Sequence, residues 1–122
     1  ISTDVCVPIS RLAECLEETE KDINASGRMV PVLGHIGDGN FHLCIIVDPN
    51  NPNDIEVAEQ MNERLVKRAI AMEGTCTGEH GIGFGKIDFM NAEHGDGVDV
   101  MRMVKRSMDP DNIMNPGKVI SL

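Results

Sequence analysis

Gly34-His35-Ile36-Gly37-Asp38-Gly39-Asn40-Phe41-His42 reads as a β-hairpin with a histidine on each side of its turn. Gly37 and Gly39 permit positive φ, and the side chains of Asp38 and Asn40 can bond the turn's own backbone. With Gly37-Asp38-Gly39-Asn40 as a four-residue loop, Ile36 pairs with Phe41 and His35 lies opposite His42. Facing residues of an antiparallel pair have Cβ atoms about 4.5–5.5 Å apart, near enough for two imidazoles to hold one metal ion. A second glycine-rich stretch, Gly78-Glu79-His80-Gly81-Ile82-Gly83, sets a carboxylate beside another imidazole. If Glu79 joins His35 and His42 on the metal, His80 is adjacent and free to act as a general base. Plain structural roles compete with this reading: the same turn chemistry serves any hairpin, and Glu79 could cap a helix with His80 solvated.

Outside the hairpin, residues 3–9 are β-branched and alternating, which suits a strand, and Ser10 is the expected N-cap of the helix that follows. Leu12, Leu16, Thr19 and Ile23 recur at helical spacing until Gly27, a left-handed stop. The hairpin strands are expected over residues 29–36 and 41–48. Asn53 with Glu56 resembles a capping box, and Ala58, Met61, Leu65, Ala69 and Met72 form the buried stripe of a helix that ends at Gly74. Thr75-Cys76-Thr77 is a short fourth strand. The order is βαββαβ, an α+β class with a ferredoxin-like antiparallel sheet carrying two helices on one face, followed by a C-terminal helical segment. Past Lys86 two helices are expected, over 87–93 and 98–108, the second with Val98, Met101, Val104 and Met108 on one side. Residues 109–118 are turn-rich. Residues 1–86 are thus expected to form the ferredoxin-like portion that holds the candidate metal ligands, and 87–122 the C-terminal helices and tail.

The 122 residues are one domain's worth of chain, and eleven basic against twenty acidic residues give a net charge of −9. That balance works against nucleic acid or anionic lipid as a partner. Four cysteines without a C-x-x-C pair fit a reducing compartment. No transmembrane segment or leader is expected, because there is no 18-residue apolar run and no basic-then-apolar start. Gly81-Ile82-Gly83-Phe84-Gly85-Lys86 has neither phosphate-loop register, and His94 reads as a surface residue.

Four ordered motifs together resemble the C-terminal part of FAD-linked D-2-hydroxyacid dehydrogenases, most nearly D-lactate dehydrogenases of the vanillyl-alcohol-oxidase flavoprotein superfamily. They are Thr3-Asp4-Val5-Cys6-Val7-Pro8, the 34–42 run, Gly74-Thr75-Cys76-Thr77-Gly78-Glu79-His80-Gly81-Ile82-Gly83, and the stretches Met108-Asp109-Pro110 and Met114-Asn115-Pro116-Gly117-Lys118. The resemblance implies an oxidoreductase in which FAD oxidises a D-2-hydroxy acid, D-lactate or similar, to the 2-oxo acid and electrons pass to a separate acceptor. It implies a divalent metal, zinc or manganese, on His35, His42 and Glu79, with His80 as catalytic base and Asn115 near the flavin. Some relatives carry an asparagine two residues after the second histidine, where this chain has Cys44, so that substrate contact does not carry over. The family's FAD-binding portion lies N-terminal to this region. The chain is therefore expected to be a fragment, inactive alone and prone to self-association, of a protein cytoplasmic in bacteria and mitochondrial in eukaryotes. The rival reading is a self-contained metal- or ligand-binding module without redox activity.

Overall fold

A computed structural model describes residues 1–122, which form two compact units, Ile1–His80 and Gly81–Leu122. The first unit contains β1 (Val5–Cys6), α1 (Ile9–Ser26), β2 (Val32–His35), β3 (Asn40–Leu43) and α2 (Pro52–Ala71). The second contains α3 (Met90–His94) and α4 (Gly97–Met108) among irregular chain. The class is α+β.

The sheet runs β1-β3-β2 with both pairs antiparallel. A bridge between Ser2 and Cys44 continues the β1–β3 register, which sets Asp4 opposite His42. On the free side of β1, Thr75 makes one antiparallel bridge to Cys6, so the fourth strand expected over 75–77 is reduced to a single pair. The cause is local: the Thr77 N–H turns back to Thr75 Oγ1 at 3.3 Å, and those of Gly78 and Glu79 point at the Asp4 carboxylate.

Alternation along the strands separates two faces. Val5, Phe41 and Leu43 are buried, as are Leu12 and Cys15 of α1 and Met61, Leu65 and Val66 of α2, and α2 packs against both β1 and α1. Asp4, Asn40 and His42 take the other face. The α2 stripe is buried as its spacing predicts, at Ala58, Met61, Leu65, Ala69 and Met72. On α1, Leu12, Cys15 and Thr19 are buried while Leu16 and Ile23 are only partly covered. The Arg64 guanidinium donates to Asp22 at 2.9–3.0 Å and ties α2 to α1.

Three local expectations are corrected. Pro8, not Ser10, is the N-cap of α1, although Gly27 does close that helix at φ 65°. In α2 the cap is Asn51, whose side chain accepts from Asn53 N at 3.2 Å, and Pro52 takes the first helical position. The third correction is the hairpin register, with pairs His35–Asn40, Gly34–Phe41 and Leu33–His42. The loop is Ile36-Gly37-Asp38-Gly39, one residue earlier than expected, with a 3₁₀ turn over Ile36–Asp38 closed by Gly39 at φ 77°. Asn40 is drawn out of the loop because its amide donates to Asp4 Oδ1 at 2.8 Å and to the Val5 carbonyl at 2.9 Å. His35 therefore does not face His42. The pairing has moved by two residues, which preserves the alternation, so both histidines stay on one face as diagonal neighbours.

In the second unit the helix expected over 87–93 is a 3₁₀ turn, Ile87–Phe89, running into α3. On α4, Val98 is buried with Met90 and Ile120, Met101 packs against that cluster, and Val104 and Met108 are exposed. Asp109, just past α4, accepts from the Lys105 ammonium and from the backbone N–H of Ile113 at 3.0 Å and Met114 at 2.9 Å. The Lys105 hydrogen bond outweighs burial and, with the two backbone donors, holds this carboxyl below the usual carboxylate range. A lowered folded-state value means the unfolded chain takes up the proton first, so the stabilisation is present above about pH 4 and lost as pH falls further. Acidification should therefore loosen the Ile113–Met114 turn, read as a shift of those two amide resonances below about pH 4. Asp109→Asn should abolish that pH-dependent step.

Candidate functional site

The open face of the sheet carries the site, and a buried carboxylate organises it. Asp4 is 1% exposed. Its Oδ2 accepts from Thr77 Oγ1 at 2.8 Å and from the backbone N–H groups of Gly78, Glu79 and His80 at 2.9, 3.1 and 2.9 Å. Oδ1 accepts from the Asn40 amide at 2.8 Å. Three successive N–H groups converging on one anion form a nest of the kind that favours negative charge. Burial alone would raise the carboxyl's pKa, but the donors from His80, Asn40, Glu79 and Thr77 outweigh it and hold it well below the usual range.

That grip turns the side chains of Glu79 and His80 toward His42. Glu79 Oε1 lies 2.9 Å from His42 Nε2, 3.8 Å from His35 Nε2 and 3.7 Å from His80 Nε2. The His42 and His80 rings stack with centroids 5.0 Å apart and planes 10° from parallel. Exposure grades the set: the His42 side chain is 6% exposed, Glu79 45% and His35 66%. Thus His35, His42, Glu79 and His80, all singled out from sequence, come together on one face of the first unit. Asn115 belongs to the second unit, where it adopts φ 48° on a mostly apolar concavity of about 410 Å³ lined also by Met108, Met114, Val119 and Ile120.

The hydrogen bonding of His42 says what the cluster can hold. His42 Nδ1 is 2.9 Å from the Thr3 carbonyl, which can only accept, so Nδ1 carries a proton. In the neutral ring Nε2 then presents a lone pair straight at a carboxylate oxygen. A proton shared between the two groups or a cation between them relieves that opposition. Imidazoles that bind metals commonly donate their other N–H to a carbonyl in this way. Ligand atoms about 2.1 Å from a tetrahedral ion stand about 3.4 Å apart, and the 2.9 and 3.8 Å separations around Glu79 Oε1 bracket that spacing. Two imidazole nitrogens and a carboxylate suit zinc or manganese. Asp4, His42 and His80 bring ligand atoms within 4.8 Å of one another, a set that shares only His42 with the predicted ligands His35, His42 and Glu79. Asp4 is the weaker candidate ligand, since both its oxygens are engaged by protein donors.

Asp4 is the residue that sequence reasoning passed over. A lone aspartate in an alternating strand reads as a solvent-facing position; the available signal was its place between two β-branched residues, Thr3 and Val5, in a segment bound for the core.

Compared with known proteins, the chain matches, over residues 1–119, the family described as FAD linked oxidases, C-terminal domain. It is 51% identical over 122 residues to a Danio rerio protein named probable D-lactate dehydrogenase, mitochondrial, covering 99% of this chain and 24% of that protein. To the Arabidopsis thaliana D-lactate dehydrogenase [cytochrome], mitochondrial, it is 46% identical over 119 residues, covering 97% of this chain and 21% of that protein. A Bacillus subtilis glycolate oxidase subunit GlcD is 34% identical over 122 residues, covering 99% of this chain and 26% of the subunit. The chain thus spans about a fifth to a quarter of the length of these curated relatives.

The ring geometry is open to direct measurement. In nitrogen-15 NMR spectra at neutral pH, His42 should show a protonated Nδ1 whatever the state of Nε2. A spectrum with the proton on Nε2 alone would contradict the Thr3 contact.

Proposed function

The chain belongs to the family of FAD-linked oxidase C-terminal domains, and we propose that it is the C-terminal substrate- and metal-binding portion of a flavin-dependent dehydrogenase that oxidises a D-2-hydroxy acid, D-lactate or similar, to the 2-oxo acid. The observation that carries this reading is the convergence of His35, His42 and Glu79 beside a solvent-accessible His80. The names of the D-lactate dehydrogenase relatives support the substrate class. When bound, a divalent cation would supply Lewis acidity toward the substrate's carboxylate and hydroxyl, and FAD the acceptor for the C2 hydride.

His35, His42 and Glu79 are the ligands in this scheme. His42 is the fixed one, buried on the central strand and oriented through Nδ1 by the Thr3 carbonyl. His35 sits on the exposed edge strand and Glu79 on the loop, so both can close around an ion. His80 takes the hydroxyl proton at Nε2, where the neighbouring Glu79 carboxylate at 3.7 Å steadies the resulting charge. Its ring is held against His42, which leaves its outer face, about half exposed, toward substrate. Asn115, with the apolar concavity it lines, would meet the flavin, the concavity suiting a flat, largely apolar ring. Residues 1–86 then serve substrate and metal, and 87–122 the flavin side. A separate electron acceptor completes the turnover. A eukaryotic location in mitochondria accords with the relatives' names, and a bacterial one would be the cytoplasm. No helix is long and apolar enough to cross a membrane.

Exposed Val104, Met108, Ile113 and Met114 favour this reading over a self-contained metal-binding module, whose outer surface would be polar. In the intact enzyme, His80→Ala should lower kcat by about 10²–10⁴-fold while the metal and flavin stay bound. His35→Ala or Glu79→Ala should instead strip the metal and damage both KM and kcat. Metal analysis and stopped-flow flavin reduction by D-lactate separate the two classes. Near-normal flavin reduction by His80→Ala would return that histidine to a structural role.

A further inference from the structure

We infer that Asp4 is the positioning residue of this site: by collecting the backbone N–H groups of Gly78, Glu79 and His80, its carboxylate fixes where the Glu79 and His80 side chains stand over His42. The inference rests on the proposed metal and base roles of those side chains, and it assigns Asp4 a task that neither role contains.

Glu79 and His80 are consecutive, yet both reach His42, one through a 2.9 Å contact to Nε2 and the other by stacking on the ring. Consecutive side chains of extended backbone point to opposite sides. Here the backbone is curled so that three N–H groups face inward, and the curl closes on Asp4 Oδ2. Nothing regular holds this segment otherwise, because the strand before it ends at the single Thr75–Cys6 bridge. The clamp is also tightly fitted. A Cβ on Gly78 would fall on the Asn40 amide nitrogen, the same group that donates to Asp4 Oδ1. Thr77 adds its hydroxyl from the loop's other end.

Asp4 also faces His42 directly, with Oδ1 3.6 Å from Nδ1, on the side of the ring away from Glu79. One carboxylate therefore governs three of the four site residues without touching anything bound there: it holds the Glu79 and His80 backbones and lies beside the His42 ring. Outer-sphere groups of this kind typically change metal affinity by about 10–100-fold when lost.

The test uses the 122-residue chain and zinc ions as the probe, with calorimetric titration, thermal melting and amide hydrogen exchange by NMR. Asp4→Asn should keep the fold at low temperature, weaken zinc binding by about 10–100-fold, and release the amides of Gly78, Glu79 and His80 to exchange. Thr77→Val removes one donor without changing charge and should show a smaller loss of the same kind. It carries the test if Asp4→Asn does not fold. A core variant on α2, Leu65→Ala, should lower Tm and leave zinc affinity at the wild-type value, which separates positioning from general destabilisation. Zinc binding by Asp4→Asn, or by Thr77→Val in its place, no weaker than by Leu65→Ala would overturn the inference while leaving the metal reading intact. If the wild-type chain takes up no zinc, the metal reading fails, and amide exchange alone decides the clamp: release of the three amides in the variant supports it, and unchanged protection overturns it.

Discussion

A carboxylate buried to 1% exposure is tolerable only when donors surround it, and meeting that demand for Asp4 shapes the whole first unit. An isolated charge in such a place would cost more than a small domain's net stability, so the chain must bring N–H and O–H groups to it from wherever they exist. They come from β3 through Asn40 and, from more than seventy residues along the chain, from Thr77 through His80. The ladder bonds that a longer fourth strand would have made are replaced by bonds to one side chain. The loss of regular structure at residues 76–80 and the burial of Asp4 are the same event seen from two ends.

The two faces of the sheet are covered by different kinds of structure. Helix α2 packs against β1 and against α1, and Val5, Phe41 and Leu43 are fully buried. The opposite face carries Asp4, Asn40 and His42, and its cover is a loop, not a helix. His42 stands buried on the central strand, His35 at the end of the exposed edge strand, and Glu79 on the covering loop.

The sequence was most legible where one element's periodicity answers to one surface. All five positions of the α2 stripe are buried because a packed helix repeats its demand every three or four residues. Gly27 was legible because only the left-handed region closes that helix end cleanly. Placement failed where a choice depended on a partner distant in sequence. Asn40 looked like a loop residue by composition, but its amide is claimed by Asp4, which shifts the loop back to residues 36–39 and moves His35 from opposite His42 to a diagonal. Asn51, not Asn53, caps α2 because Pro52 fits the first helical position, a local effect legible in the proline itself.

That the four site residues still converge despite the shifted register follows from the two-residue period of a strand. A slip by one residue would have turned His35 away from His42, whereas the shift by two leaves the parity untouched. The difference in distance, 2.9 Å from His42 against 3.8 Å from His35, is the trace of that diagonal placement. It leaves the buried histidine on the central strand as the fixed point of the cluster and the exposed one on the edge strand as its adjustable member. The site therefore inherits its asymmetry from the hairpin, and the hairpin inherits its register from Asp4.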